Sequence, residues 1–171
     1  MLNSLAESAA LRITLVLVVV LGVQTSTLSE LRVGHTVIDL VALLAVGAGI
    51  VAGPQRGGRI AFFIGFGFDL LLPTPFGVKP LVYGLTGFLA GLLPADPIEN
   101  VRVVRVGAMA GMCAGLAFAE GPIAAMFGEA QAVSFALLTA TAVGAVVGAT
   151  LGPITLRVAR WALMAGDQAR I

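Results

Sequence analysis

The sequence predicts an all-α integral membrane protein, a single bundle of six transmembrane helices, and three observations carry that expectation. Of the 171 residues, 58% are hydrophobic and only 11% charged, and mean hydropathy is +1.03. Soluble domains run about 45–50% apolar and about 25% charged, and a chain this short has too little interior to hide the excess from water. Six apolar runs approach the roughly 20 residues that a helix needs to cross a hydrocarbon core about 30 Å thick. The basic residues then divide unequally between the two sides those runs define, eight against two. Sparse aromatics (6%) and 22 glycines suit closely packed helices better than an aromatic-girdled barrel.

The first run covers residues 11–27 and is built on "ITLVLVVVLGV". A secretory signal peptide is the alternative, but the apolar part is long and polar "VQTSTLSE" stands where a small-residue cleavage site would be. The second run, 36–53, opens on Thr36-x-x-Asp39, a helix-start pattern in which a carboxylate accepts amide hydrogens. The third, 55–72, starts either near Pro54 or only at Ile60. From Ile60 its length to Leu72 is about 20 Å, short of the core, which would leave a re-entrant or thinned region. The fourth, 78–93, tolerates Pro80 in its first turn, where a missing donor is harmless. The fifth, 103–119, is expected to stop at Glu120-Gly121-Pro122, and the sixth, 132–156, contains Pro153. The connections "PQRGGR", "PTPFG" and "PADPIEN" are short and rich in helix-ending residues. None can separate two domains, so residues 1–171 form one.

Six spans put Arg12, Arg56, Arg59, Arg102, Arg105, Arg157, Arg160 and Arg170 on one side, with Arg32 and Lys79 on the other. Cytoplasmic loops retain Lys and Arg, so both termini are expected in the cytoplasm. A net charge of +1 offers no basic face for nucleic acid. The lone Cys113 and lone His35 leave neither an intramolecular disulfide nor a metal-ligand cluster, and no cofactor is expected.

Glycine recurs at every fourth position twice, at Gly107, Gly111 and Gly115 and at Gly144, Gly148 and Gly152. Each series lies on one helix face and makes a smooth groove in which another backbone gains dispersion contacts. The grooves join helices within the chain or dock a partner's helix, and the sequence leans to the first. Shorter pairs occur at Gly49 and Gly53 and at Gly87 and Gly91.

"GFGFDLLLPTPFG", residues 65–77, places Asp69 near the C-terminal end of an apolar helix, where the macrodipole is unfavourable to an anion. An unpaired carboxylate in the span costs a few kcal/mol. Asp69 is therefore expected near the outer interface or paired with Lys79 or Arg32, as a structural acid that staples the turn. An ion or proton relay needs a series of polar residues along a path, and none is visible. Pro75 keeps Thr74 out of helical angles and Gly77 permits a sharp reversal.

"IGFGFDLLLPTPFGVKPLVYGLTGFLAG", residues 64–91, resembles the signature of the rod shape-determining protein MreD family. The matching features are Gly65-x-x-x-Asp69-Leu70, then Pro75-Phe76-Gly77, then Phe88-Leu89-Ala90-Gly91. The span that opens at Asp39 also resembles the family's second span, with Ile38 where proline is common and Phe88 where tyrosine is common. The resemblance implies a non-enzymatic scaffold of the bacterial elongation complex, in rod-shape maintenance and peptidoglycan synthesis. It implies multi-pass residence in the bacterial cytoplasmic membrane, and a bundle like the substrate-binding subunits of energy-coupling-factor transporters. The implied direct partner is MreC, with MreB, RodA and a class B penicillin-binding protein in the same complex and membrane lipid around it. The Asp69, Pro75, Phe76, Gly77 and Lys79 turn would be a structural pivot with partner contacts nearby. On this reading Asp69→Lys abolishes co-purification with MreC at normal membrane abundance.

The alternative is the substrate-binding subunit of a vitamin importer. That function needs a polar-lined pocket near the outer side, and one Trp, one Tyr and few amides are a poor inventory for it. An integral-membrane enzyme is the third reading. "GDQAR", residues 166–170, is similar to the acidic motif of phospholipid head-group transferases, but lacks the repeated aspartates that two-metal chemistry requires.

Overall fold

The apolar runs become helices because only i to i−4 bonding satisfies every backbone polar group within a single segment. The computed structural model of the chain describes residues 9–28, 32–33, 36–37, 39–71, 77–93, 101–126 and 135–164. Helix α1 is Ala9–Val23, continued by a π turn at Gln24–Leu28. Two-residue strands β1 (Arg32–Val33) and β2 (Thr36–Val37) pair antiparallel. Then come α2 (Leu40–Ala52), α3 (Pro54–Asp69), α4 (Val78–Gly91), α5 (Val101–Met126) and α6 (Phe135–Met164). The described residues therefore form an all-helical bundle with one minimal hairpin.

Several boundaries differ from those expected. Thr36 belongs to β2, and α2 starts four residues later, at Leu40, with Asp39 itself as the N-cap. Helix α3 takes the earlier of its two expected starts, with Pro54 in the first turn, and ends at Asp69. Glu120-Gly121-Pro122 is not a stop, because α5 runs on to Met126 with Pro122 inside it. A proline in the last turns of a helix gives up a single backbone bond, and the following residues still bond back past it. Helix α6 continues well beyond residue 156 to Met164, through Pro153. Thr150 and Thr155 on either side of that proline donate to carbonyls one turn back, at Val146 and Leu151.

The helices alternate in direction. Helices α3 and α4 are antiparallel, since Gly65 abuts Lys79 and Pro80 at one end while Gly91 abuts Gly53 and Pro54 at the other. Helices α5 and α6 are likewise antiparallel, with Gly144 against Cys113 and Gly152 against Met109. Arg12 in α1 donates to the Trp161 carbonyl in α6 at 3.5 Å and stands 5.1 Å from that ring's centroid. One end of the bundle thus gathers Arg12, Arg56, Arg59, Arg157 and Arg160, and the first turn of α5 with Arg102 and Arg105 belongs to the same end. The opposite end holds Gln24, Asp39, Asp69, Gly77, Lys79 and Tyr83.

Helix α2 is the axis of the fold. Every residue from Val41 to Gly49 is buried, and all five other helices touch it. It is hydrophobic all round, as a fully enclosed helix must be. Its neighbours come unusually close: a Cβ on Gly57 would lie 2.6 Å from Gly49 Cα, and a Cβ on Gly49 would strike the Gly87 carbonyl. The pairs at Gly49 and Gly53 and at Gly87 and Gly91 therefore join α2, α3 and α4 within the chain. Gly53, at φ +77°, turns α2 directly into α3 in a conformation that side chains rarely adopt.

Among the described residues, one helix segment, 137–163, is by itself long and apolar enough to cross a membrane. Residues 10–26, 40–52 and 106–119 form shorter apolar helices. Helix α2, with 13 residues, reaches only about 20 Å.

Candidate functional site

The end opposite the arginines concentrates the polar groups. Asp39 caps α2, and its Oδ1 accepts from the Ala42 amide at 2.9 Å. Its Oδ2 accepts a hydrogen bond from the Tyr83 hydroxyl, which comes from α4. The Leu40 amide donates to Gln24 Oε1 at 3.0 Å, so the π turn after α1 closes over the same helix start. Tyr83 is fully buried and stacks on Phe68 of α3, with ring centroids 6.3 Å apart. A buried tyrosine normally finds a partner for its hydroxyl, and here the partner is a carboxylate that the Ala42 amide already holds.

Asp69 sits on the neighbouring corner and is 2% exposed. It is the last residue of α3, where the helix dipole opposes an anion, yet its Oδ2 accepts from the Gly77 amide at 2.5 Å. Gly77 is the N-cap of α4. The carboxylate therefore spans from an unfavourable helix end to a favourable one, exchanging the C-terminal field of α3 for the N-terminal field of α4. Gly77 has φ +103°, a left-handed turn that glycine adopts freely, and this aims its amide back at Asp69. Asp69 Oδ1 is buried without a hydrogen-bond partner among the described residues.

Of the two cations expected to answer Asp69, the Arg32 side chain lies outside the described residues. Lys79 Nζ stands over two rings instead, 5.8 Å from the Phe68 centroid and 5.6 Å from that of Tyr83. Among the described residues the staple is thus a backbone amide. Pro75 and Phe76 lie outside the described residues, so of the expected pivot Asp69, Gly77 and Lys79 are placed.

Composition conceals the Asp39–Tyr83 link, which ties α2 to α4. The signal available was the single tyrosine of the chain, facing inward on an apolar helix with a hydroxyl to satisfy. Tyr83→Phe is expected to destabilise the fold by about 2 kcal/mol, the cost of one hydrogen bond to a charged group. Denaturant titration of the purified variant against the parent checks it.

The two glycine series behave differently: of the two uses the sequence leaves open, joining helices within the chain is seen for the α6 series and not for the α5 series among the described residues. Gly144 and Gly148 receive the α5 backbone, with a Cβ on them lying 2.9 Å from the Cys113 carbonyl and 2.7 Å from the Met109 carbonyl. Gly152 meets the Met109 side chain. Gly107, Gly111 and Gly115 face outward, and a Cβ added to any of them would meet nothing within 4 Å. Two smooth grooves set face to face would leave no side chain to fill the gap between them. Helix α5 instead turns Met109 and Cys113 toward the α6 groove, both buried. Its own glycine face stays open, bracketed by exposed Val104 and Phe118.

Comparisons of the chain with protein-family models, with curated proteins and with solved structures found no match.

Proposed function

We propose that the protein is a non-enzymatic, multi-pass scaffold of the bacterial cytoplasmic membrane, with both termini cytoplasmic, that holds a partner's transmembrane helix. The observation that carries this reading is the open Gly107, Gly111 and Gly115 face on α5. Its counterpart on α6 is consumed by internal packing, whereas this one has the same shape and no occupant among the described residues. In lipid, where no hydrophobic force drives helices together, such small-residue faces are where helices associate.

Two further features support the membrane setting. Leu15, Val18, Phe63, Leu81, Leu85, Leu138, Val146 and Ile154 are all more than half exposed, distributed over α1, α3, α4 and α6. A water-soluble monomer rarely exposes so many large apolar side chains on so many helices. The segregation of arginines to one end of the bundle matches a cytoplasmic face.

On the resemblance to the MreD family the partner is MreC, and MreB, RodA and a class B penicillin-binding protein belong to the same assembly. The outer-end turn at Asp69 and Gly77 fixes α3 and α4 relative to one another, and so steadies the surface that a periplasmic part of the partner would meet. Disulfide crosslinking in membranes tests the docking face. Gly111→Cys is expected to crosslink to single cysteines in the MreC transmembrane helix, and Leu138→Cys, exposed elsewhere on the bundle, is expected not to. Native Cys113 is 5% exposed and turned toward α6, so it contributes no background. Equal crosslinking from both positions would remove the docking reading.

A further inference from the structure

Helices α1 and α3 run parallel and are wedged. They touch at Leu17 and Gly67, where a Cβ on the glycine would lie 3.1 Å from Leu17 Cδ2. Toward the arginine-rich end they part and leave a groove of about 480 Å³, lined by Ile13, Thr14 and Leu17 on one wall and by Ile60 and Phe63 on the other. Leu163 of α6 contributes to the lining, and Arg56 is the one cation in it among the described residues.

The three arginines that α1 and α3 carry at this end are not equivalent. Arg12 is engaged with Trp161, and Arg59 Nε donates to the Gln55 carbonyl at 3.2 Å. Arg56 is exposed at the groove and has no hydrogen-bond or ion-pair partner among the described residues. An apolar trough with a single available guanidinium at its cytoplasmic level matches an amphiphile with one anionic head. A helix about 10 Å across displaces about 120 Å³ per residue of rise, so the groove would take only about one turn of one. A flexible hydrocarbon chain fills the same space along its length.

We propose that this groove binds one anionic phospholipid of the cytoplasmic leaflet, its acyl chain between α1 and α3 and its phosphate at Arg56. The proposal rests on the membrane reading given above. Guanidinium is the side chain best matched to phosphate, through paired N–H donors in a plane.

Native mass spectrometry of the detergent-extracted full chain, titrated with phosphatidylglycerol, reads the binding directly. One phosphatidylglycerol is expected per protein, bound about fivefold more weakly by Arg56→Gln and as tightly as by the parent in Arg59→Gln. Ala10→Phe, which fills the trough from α1, is expected to abolish binding of the lipid. Equal affinities of Arg56→Gln and Arg59→Gln would overturn the proposal, as would equal binding of phosphatidylcholine. Retention of a polyprenyl-linked saccharide in place of a phospholipid would overturn it too. Alkaline extraction of membranes is read first: release of the protein there sinks the membrane reading and this proposal together. Retention in the membrane followed by any of the failures above sinks the lipid site alone.

Discussion

Leucine at Gly111 is expected to abolish capture of the partner while leaving the protein itself as stable as the parent. A Cβ at that position meets nothing within 4 Å among the described residues, and the position is exposed, so the bundle has no reason to shift. A partner helix seated on the same face would be pushed off by the added atoms, losing the close backbone approach on which such pairs depend. Leucine at Gly148 should have the opposite outcome. Its Cβ would lie 2.7 Å from the Met109 carbonyl and 2.9 Å from Ala110 Cα, and backbone atoms cannot rotate away. Helices α5 and α6 would have to separate, at a cost of about 3 kcal/mol or more. Membrane abundance and thermal melting read the second variant, and co-purification with MreC reads the first. Undiminished capture by the Gly111→Leu variant would show that the open face is not where the partner sits.

The second large effect is at Asp69. Asp69→Ala is expected to destabilise the bundle by about 2 kcal/mol, the loss of a hydrogen bond to a charged acceptor. Asp69→Asn keeps an acceptor oxygen for the Gly77 amide and should cost appreciably less. Asp69→Lys should be the most damaging of the three, because the site is 2% exposed and its only described partner is a donor. A lysine there would bring a buried cation against an amide hydrogen and the N-terminus of α4. The sequence suggested that this variant would lose MreC at normal abundance. With Asp69 2% exposed, abundance is expected to fall as well, so Asp69→Asn is the cleaner probe of partner binding. Unfolding midpoints for the three variants that fail to rank in this order would refute the stapling role.

Much of the architecture could be read before any coordinates. Six apolar runs gave six helices, and the arginine alternation gave their directions, because both signals are sums over many residues. Boundaries were harder. Thr36-x-x-Asp39 looked like the opening of a helix, yet the acid itself is the cap, since a carboxylate serves either position and tertiary pairing with Tyr83 decides between them. Pro122 looked like a terminus, but one missing donor near a helix end is a weak stop. The glycine series showed the limit most clearly. Their spacing is identical, and their fates differ because Met109 and Cys113 on α5 supply the knobs while α6 supplies the groove. Which face of a helix offers knobs depends on its rotation in the bundle, and spacing does not encode rotation. The partner of Asp69 was equally hidden, because backbone amides leave no mark in a sequence.

The enclosure of α2 bears on how the chain is assembled. Gly47, near the middle of that helix, is covered by Thr155 and Ala159 of α6, so a helix made early is sealed by one made much later. On the membrane reading, a strip of α2 is shielded by lipid or by the insertion machinery until α6 has been made. Shortening the chain before α6 would therefore strip the innermost helix, not the periphery, and expose it to quality-control proteolysis. In the finished bundle the backbone amides of α2 should be the last to exchange with deuterium, since they open only when the whole structure does.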